Sequence, residues 1–188
     1  SLALSGMDFK KSEIAEIPTK FSEIGGKPAC LLLEYSGTKT AKLQLDHKAA
    51  SLIMLHAAHL NPENEKTFWN KENYDDPLKG KKIIHYTVAY NDGTQTEFSI
   101  NYGWNIGKWR INPDSQAEVF SKYLADSRYV WEGKTPQAKI KNKDNDIAIY
   151  QYEWVNPHPE KRIVAVTLSL TDKYVSYALL ALSGRETR

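Results

Sequence analysis

A single cysteine, Cys30, in 188 residues excludes a disulfide framework and any multi-cysteine zinc or iron–sulfur site. Long apolar runs are also missing. The longest, such as Ala178-Leu179-Leu180-Ala181-Leu182, falls far short of the roughly 18 residues a membrane span needs. No sign of charge dominates, because 25 Lys and Arg stand against 23 Asp and Glu, for a net +2. That balance gives no electrostatic reason to expect nucleic acid or an anionic membrane as partner. The opening Ser1-Leu2-Ala3-Leu4-Ser5-Gly6 lacks the basic start and apolar stretch of a secretory signal. It also lacks an initiator methionine, which reads as a trimmed precursor or an excised piece, so it says little about the parent protein. What remains is ordinary globular composition, 41% hydrophobic and 26% charged, at a length that suits one domain of about 100–200 residues. Stability must come from a packed core.

Strand signals recur along almost the whole chain, with turn signals between most of them and no internal repeat. Residues 29–35 and 51–58 are nearly continuous apolar runs, as expected of strands buried on both faces. Lys42-Leu43-Gln44-Leu45 alternates strictly. Residues 81–90, the turn Asn91-Asp92-Gly93-Thr94 and residues 95–100 form the clearest hairpin, with Ile84, Tyr86, Val88 and Tyr90 on one face. Further strands fall near 129–131, 147–154, 162–170 and 177–182. About eight or nine strands with this spacing predict a sandwich or barrel, not βαβ units. One short helix is expected over residues 115–124, where Ser115-Gln116-Ala117-Glu118 has capping-box spacing and Ala117, Phe120 and Leu124 recur on one side. Residues 61–82 and 134–146 read as long exposed loops, the places where a rigid sandwich could carry a ligand site.

Chemistry-bearing patterns are sparse. His56 and His59 have H-x-x-H spacing, but three positions apart on a strand they face opposite sides, so core or rim histidines are the simpler reading than a metal site. No G-x-S-x-G elbow or Gly-rich phosphate loop occurs, and Cys30 opens an apolar strand as a small buried hydrophobe would. Asp46, Asp92, Glu97, Glu132 and Glu153 are scattered singly, with nothing to pair two of them for glycoside hydrolysis. Aromatics carry more information: 5 Trp and 11 Tyr outnumber 5 Phe, and both types join a flat apolar body to a polar tip. Tyr102-Gly103-Trp104-Asn105-Ile106-Gly107-Lys108-Trp109 is a shaped loop packing three large aromatics into eight positions broken by two glycines. Trp104, Trp109 and, in the charged loop, Trp69 could stack on the C–H face of a sugar, with Asn101, Asn105, Lys108 and Arg110 meeting its hydroxyls. The competing reading is that Trp109 and Ile106 plug the end of the sandwich. Trp131 and Trp154, inside strands, read as core.

Three segments in order resemble the galactose-binding-like jelly-roll domain found at the ends of many bacterial glycoside hydrolases and related surface proteins. They are Lys48-Ala49-Ala50-Ser51-Leu52-Ile53-Met54-Leu55-His56-Ala57-Ala58; then Tyr86-Thr87-Val88-Ala89-Tyr90-Asn91-Asp92-Gly93 continuing through Gly103-Trp104-Asn105-Ile106-Gly107-Lys108-Trp109; and Tyr152-Glu153-Trp154-Val155-Asn156-Pro157-His158-Pro159 with Ile163 and the closing Leu179-Leu180-Ala181-Leu182. The likeness covers about residues 21–183, which leaves 1–20 as an extension or linker and 21–184 as the domain.

The resemblance implies an all-β, two-sheet antiparallel jelly-roll sandwich of about eight strands plus one short helix. It implies a non-catalytic carbohydrate-binding or carbohydrate-associated accessory domain of a bacterial, extracytoplasmic glycan-processing protein. The partner would be a glycan or an adjoining catalytic domain. Trp104, Asn105, Lys108, Trp109 and Trp69 are the expected carbohydrate contacts. His56, the Asp92-Gly93 turn and Asn156-Pro157 read as fold-determining. Such folds frequently hold a structural calcium, but no Asp-x-Asp-like run places one here, and no cofactor or metal ligand is assigned. A structural interdomain module, or a glycoside hydrolase in its own right, are the alternatives.

Overall fold

Side chains that alternate along a strand sort to two faces, and two such layers closed on their apolar faces make the fold. The computed structural model describes residues 23–24, 27–28, 30–68, 79–111, 124–133 and 147–186. A short ladder joins β1 (Glu23–Ile24) to β2 (Lys27–Pro28). The sandwich is built from β3 (Leu31–Leu33), β4 (Thr40–Lys48), β5 (Ser51–Leu60), β6 (Lys81–Tyr90), β7 (Gln95–Tyr102), β8 (Arg128–Gly133), β9 (Ile147–Val155), β10 (Arg162–Leu170) and β11 (Val175–Arg185). One sheet has the order β4-β10-β6-β7 and the other β3-β11-β5-β9-β8. Every neighbouring pair in both is antiparallel. Successive strands cross between layers except within the pairs β6–β7 and β8–β9, which is the wrapping of a jelly roll. The expected all-β two-sheet sandwich is the fold observed.

Sequence pattern explains each strand's place. β5, mostly apolar and buried at every position but the half-buried His59, runs between β11 and β9 in the centre of its sheet. β4 alternates because it is an edge: Ala41, Leu43 and Leu45 pack on the core while Thr40, Lys42, Gln44 and Asp46 meet water. In β6, Ile84, Tyr86, Val88 and Tyr90 all point inward, each at most 2% exposed. The turn after it closes with Gly93 at φ +84° and Asp92 Oδ1 accepting the Thr94 N–H at 3.0 Å.

Between the layers, Tyr86 stacks on Phe98 (centroids 4.6 Å apart) and Phe98 on Trp154 (4.7 Å), so three rings join the sheets. Trp154 is therefore core, as expected; the Trp131 side chain lies outside the described residues. Asn156 closes one end, accepting the Tyr90 hydroxyl at 2.6 Å and donating to the Ala49 carbonyl at 2.8 Å. Leu55, Ile149, Leu180 and Ala181 form a second, smaller apolar cluster apart from the main core.

Two expectations need amendment. The apolar run 29–35 yields only the three-residue β3, an edge strand paired with β11 alone, and Tyr35 is 52% exposed. The segment 61–82 does not stay a loop throughout. Asn61 Oδ1 accepts the Glu63 N–H at 3.1 Å and starts a 3₁₀ turn, Pro62–Asn64, followed by α1 (Glu65–Phe68). Phe68 is fully buried, edge-on to Tyr102 at 5.3 Å, and residues 81–82 belong to β6. The helix expected over 115–124 and the loop over 134–146 lie outside the described residues, apart from Leu124.

Candidate functional site

The aromatic loop turns out to be a wedge. β5 and β9 pair from Ser51↔Val155 to His56↔Tyr150 and then part. Residues 108–110 fill the gap. Trp109 N–H donates to the Ala58 carbonyl at 2.8 Å, and its carbonyl accepts the Ala148 N–H at 2.9 Å. A Cβ at Gly107 would overlap the Tyr150 hydroxyl, so only glycine lets the backbone lie on that ring.

This placement separates the five expected sugar contacts. Trp109 is 6% exposed and sits in the gap, which fits the end-plug alternative. Asn105 is buried and its amide is taken: Oδ1 accepts the Asn101 N–H at 2.6 Å and Nδ2 donates to the Ser99 carbonyl at 3.3 Å. Lys108 reaches Glu65 of α1 at 3.6 Å. Trp104 is half-buried, its carbonyl accepting from Asp126 at 3.3 Å. Trp69 lies outside the described residues. The structure thus joins 104, 105, 108 and 109 in one turn without grouping them on one open surface.

His56 explains how that turn is held. Its Nε2 meets the Asn105 carbonyl at 3.2 Å, and a carbonyl can only accept, so Nε2 carries the proton. Nδ1 then accepts the Tyr177 hydroxyl at 3.0 Å, and the Tyr177 oxygen accepts the Tyr86 hydroxyl at 2.8 Å. Burial pushes the imidazole down to about 3, only partly opposed by the bond to Asn105. Burial pushes both phenols up. The chain is neutral, fully bonded, and runs from one sheet through the other to the wedge. Both ring nitrogens are used, and His59, on the opposite face of β5, is lowered by burial and then by Arg110 and Lys108. Among the described residues no three His, Cys, Asp or Glu side chains group as metal ligands.

At the same end lies a cleft of about 480 Å³ lined by Tyr35, Lys81, Lys82, Thr171, Asp172, Lys173 and Tyr174. Its walls are the turn after β3, the start of β6 and the β10–β11 connection. Lys81 forms its floor, paired to Asp172 at 2.9 Å with both side chains under 10% exposed. The same ammonium donates to the Phe68 carbonyl at 3.0 Å and lies 4.2 Å from that ring's centroid. Asp172 Oδ1 accepts the Tyr174 N–H at 2.7 Å, so this carboxylate is committed to the floor. Tyr35 stands at the rim, with Lys39 Nζ 3.9 Å from its centroid, and Lys173 Nζ is 5.0 Å from that of Tyr174.

The sequence reading placed Tyr35 in a buried strand, Lys79-Gly80 in an exposed loop and Lys81-Lys82 where that loop overlaps the 81–90 strand, and so missed this cleft. The lysine-rich run and the turn Thr171-Asp172-Lys173-Tyr174 are visible in the sequence, but their convergence is a property of topology. No protein-family model, no curated protein and no solved structure matches the chain.

Proposed function

We propose that the chain is a non-catalytic carbohydrate-binding β-sandwich whose ligand occupies the cleft between Tyr35 and Tyr174. The observation that carries this reading is the cleft's lining: two tyrosine rings beside lysine and threonine groups. Flat rings match the apolar C–H face of a sugar, and the polar groups match its hydroxyls. The volume falls within the range of about 300–1,000 Å³ typical of small-ligand sites. Asp172, already paired with Lys81, serves the floor and not a reacting atom. A bacterial, extracytoplasmic parent with an adjoining glycoside hydrolase domain follows from the family resemblance alone and is part of the proposal.

Affinity electrophoresis through gels containing a panel of neutral and acidic polysaccharides tests it. At least one polysaccharide should retard the protein, and Tyr35→Ala should abolish that retardation. Free migration in every gel overturns the reading and leaves the interdomain-scaffold alternative.

A further inference from the structure

We infer that the cleft selects an acidic saccharide, one whose rings carry carboxylates, as uronic acids do. This deepens the carbohydrate-binding reading and rests on it. Charge in the lining is one-sided: three lysines against a single aspartate. That aspartate is spent on Lys81 in a pair almost out of contact with water, so the floor is neutral, and Lys173 adds a positive charge at the rim. Among the described residues, Glu34 precedes Tyr35 in the chain and accepts the Ser176 hydroxyl at 3.5 Å.

The two rim lysines repeat one arrangement. Lys39 leans on Tyr35 and Lys173 on Tyr174, each ammonium held at the face of a cleft tyrosine. Both lysines are exposed, and among the described residues neither makes an ion pair. Each site therefore offers a flat ring and a positive point charge within one side chain's reach. A uronic acid presents the complement, an apolar ring face and a carboxylate on the same pyranose. A neutral sugar would use the rings and leave the ammoniums without a partner, while a bare polyanion would use the ammoniums and ignore the rings. An ammonium is also the cation suited to a solvated carboxylate that needs no bidentate fork.

The test compares polygalacturonate with its fully methyl-esterified form, which keeps the backbone and removes the charge. Alginate and hyaluronan serve as further uronates, inorganic polyphosphate as a ring-free polyanion, and the neutral panel as control. Polygalacturonate or another uronate should retard the wild type in affinity electrophoresis, and the ester much less. Each exposed ammonium–carboxylate contact is expected to contribute about two- to five-fold, so the double variant Lys39→Gln with Lys173→Gln should bind about ten-fold more weakly. About 0.5 M salt should weaken wild-type binding comparably, since these charges are screened. Both lysines are exposed, and an unchanged circular-dichroism melt of the variant confirms that the fold is intact.

Equal retardation by acid and ester, or binding of neutral glycans alone, overturns the acidic preference while carbohydrate binding stands. Polyphosphate binding as tight as uronate binding and indifferent to Tyr35→Ala overturns it in favour of a general anion surface. No retardation by any glycan overturns both.

Discussion

His56 makes the stability of this domain depend on acid in a way that one residue dominates. Its imidazole titrates at 6.5 when free in water and near 3 inside the fold, where burial penalises the cation. Between those values the unfolded chain holds a proton that the folded chain refuses. Stability is therefore complete above about pH 6.5 and is lost as pH falls through the window toward about 3. At about 1.4 kcal/mol per unit, a depression of about three and a half units corresponds to about 5 kcal/mol, a large share of the roughly 5–15 kcal/mol that keeps a domain folded. Urea unfolding of the wild type and of His56→Gln across pH 4–7 measures it. Glutamine can donate to the Asn105 carbonyl and accept from Tyr177, but it does not titrate. Other groups, among them the lowered His59, contribute to both proteins and cancel in the difference. The wild-type stability should fall more steeply by about 1 kcal/mol per pH unit. Parallel slopes for the two proteins would refute the reasoning, and so would an NMR titration showing the His56 ring protonating near its ordinary value.

Two further perturbations check the packing that holds the site. Asp172→Ala strands the buried Lys81 ammonium without its counter-charge and should cost about 3–5 kcal/mol in urea unfolding, more than removal of an exposed pair such as Arg162 with Asp46. Gly107→Ala drives a methyl group into Tyr150 and should cost about 1–3 kcal/mol by thermal melting; pairing it with Tyr150→Phe, which removes the overlapping hydroxyl, should recover part of that loss.

Legibility followed the range of the forces involved. The β6–β7 hairpin could be read directly, because alternation at Ile84, Tyr86, Val88 and Tyr90 and the Asp92-Gly93 turn are local signals. The nearly continuous apolar run of β5 likewise announced a buried strand. β3 was overestimated, since leucines at an edge and in a centre look alike until the neighbours are known. Phe68 was missed because one buried ring hidden in a charged segment leaves no periodicity. At Asn105 and Trp109 the composition matched that of a sugar-binding loop, yet parted strands β5 and β9 needed a filler with the same features. The cleft was invisible for a deeper reason: Tyr35, Lys81 and Tyr174 become neighbours only when the layers close.

The pairing of β3 with β11 sets Leu33 against Tyr177, so an early strand finds its place only against the last described one. During synthesis a ribosome-bound nascent chain has made most of the sandwich's sequence before the β10–β11 wall of the cleft can join the other two. Contacts so distant along the polymer make folding slow, on the order of milliseconds to seconds. A truncated product lacking β11 would also lack the Thr171–Tyr174 wall's support, whatever the length of the fragment. The cleft is thus complete only once the last described strand has been made and paired.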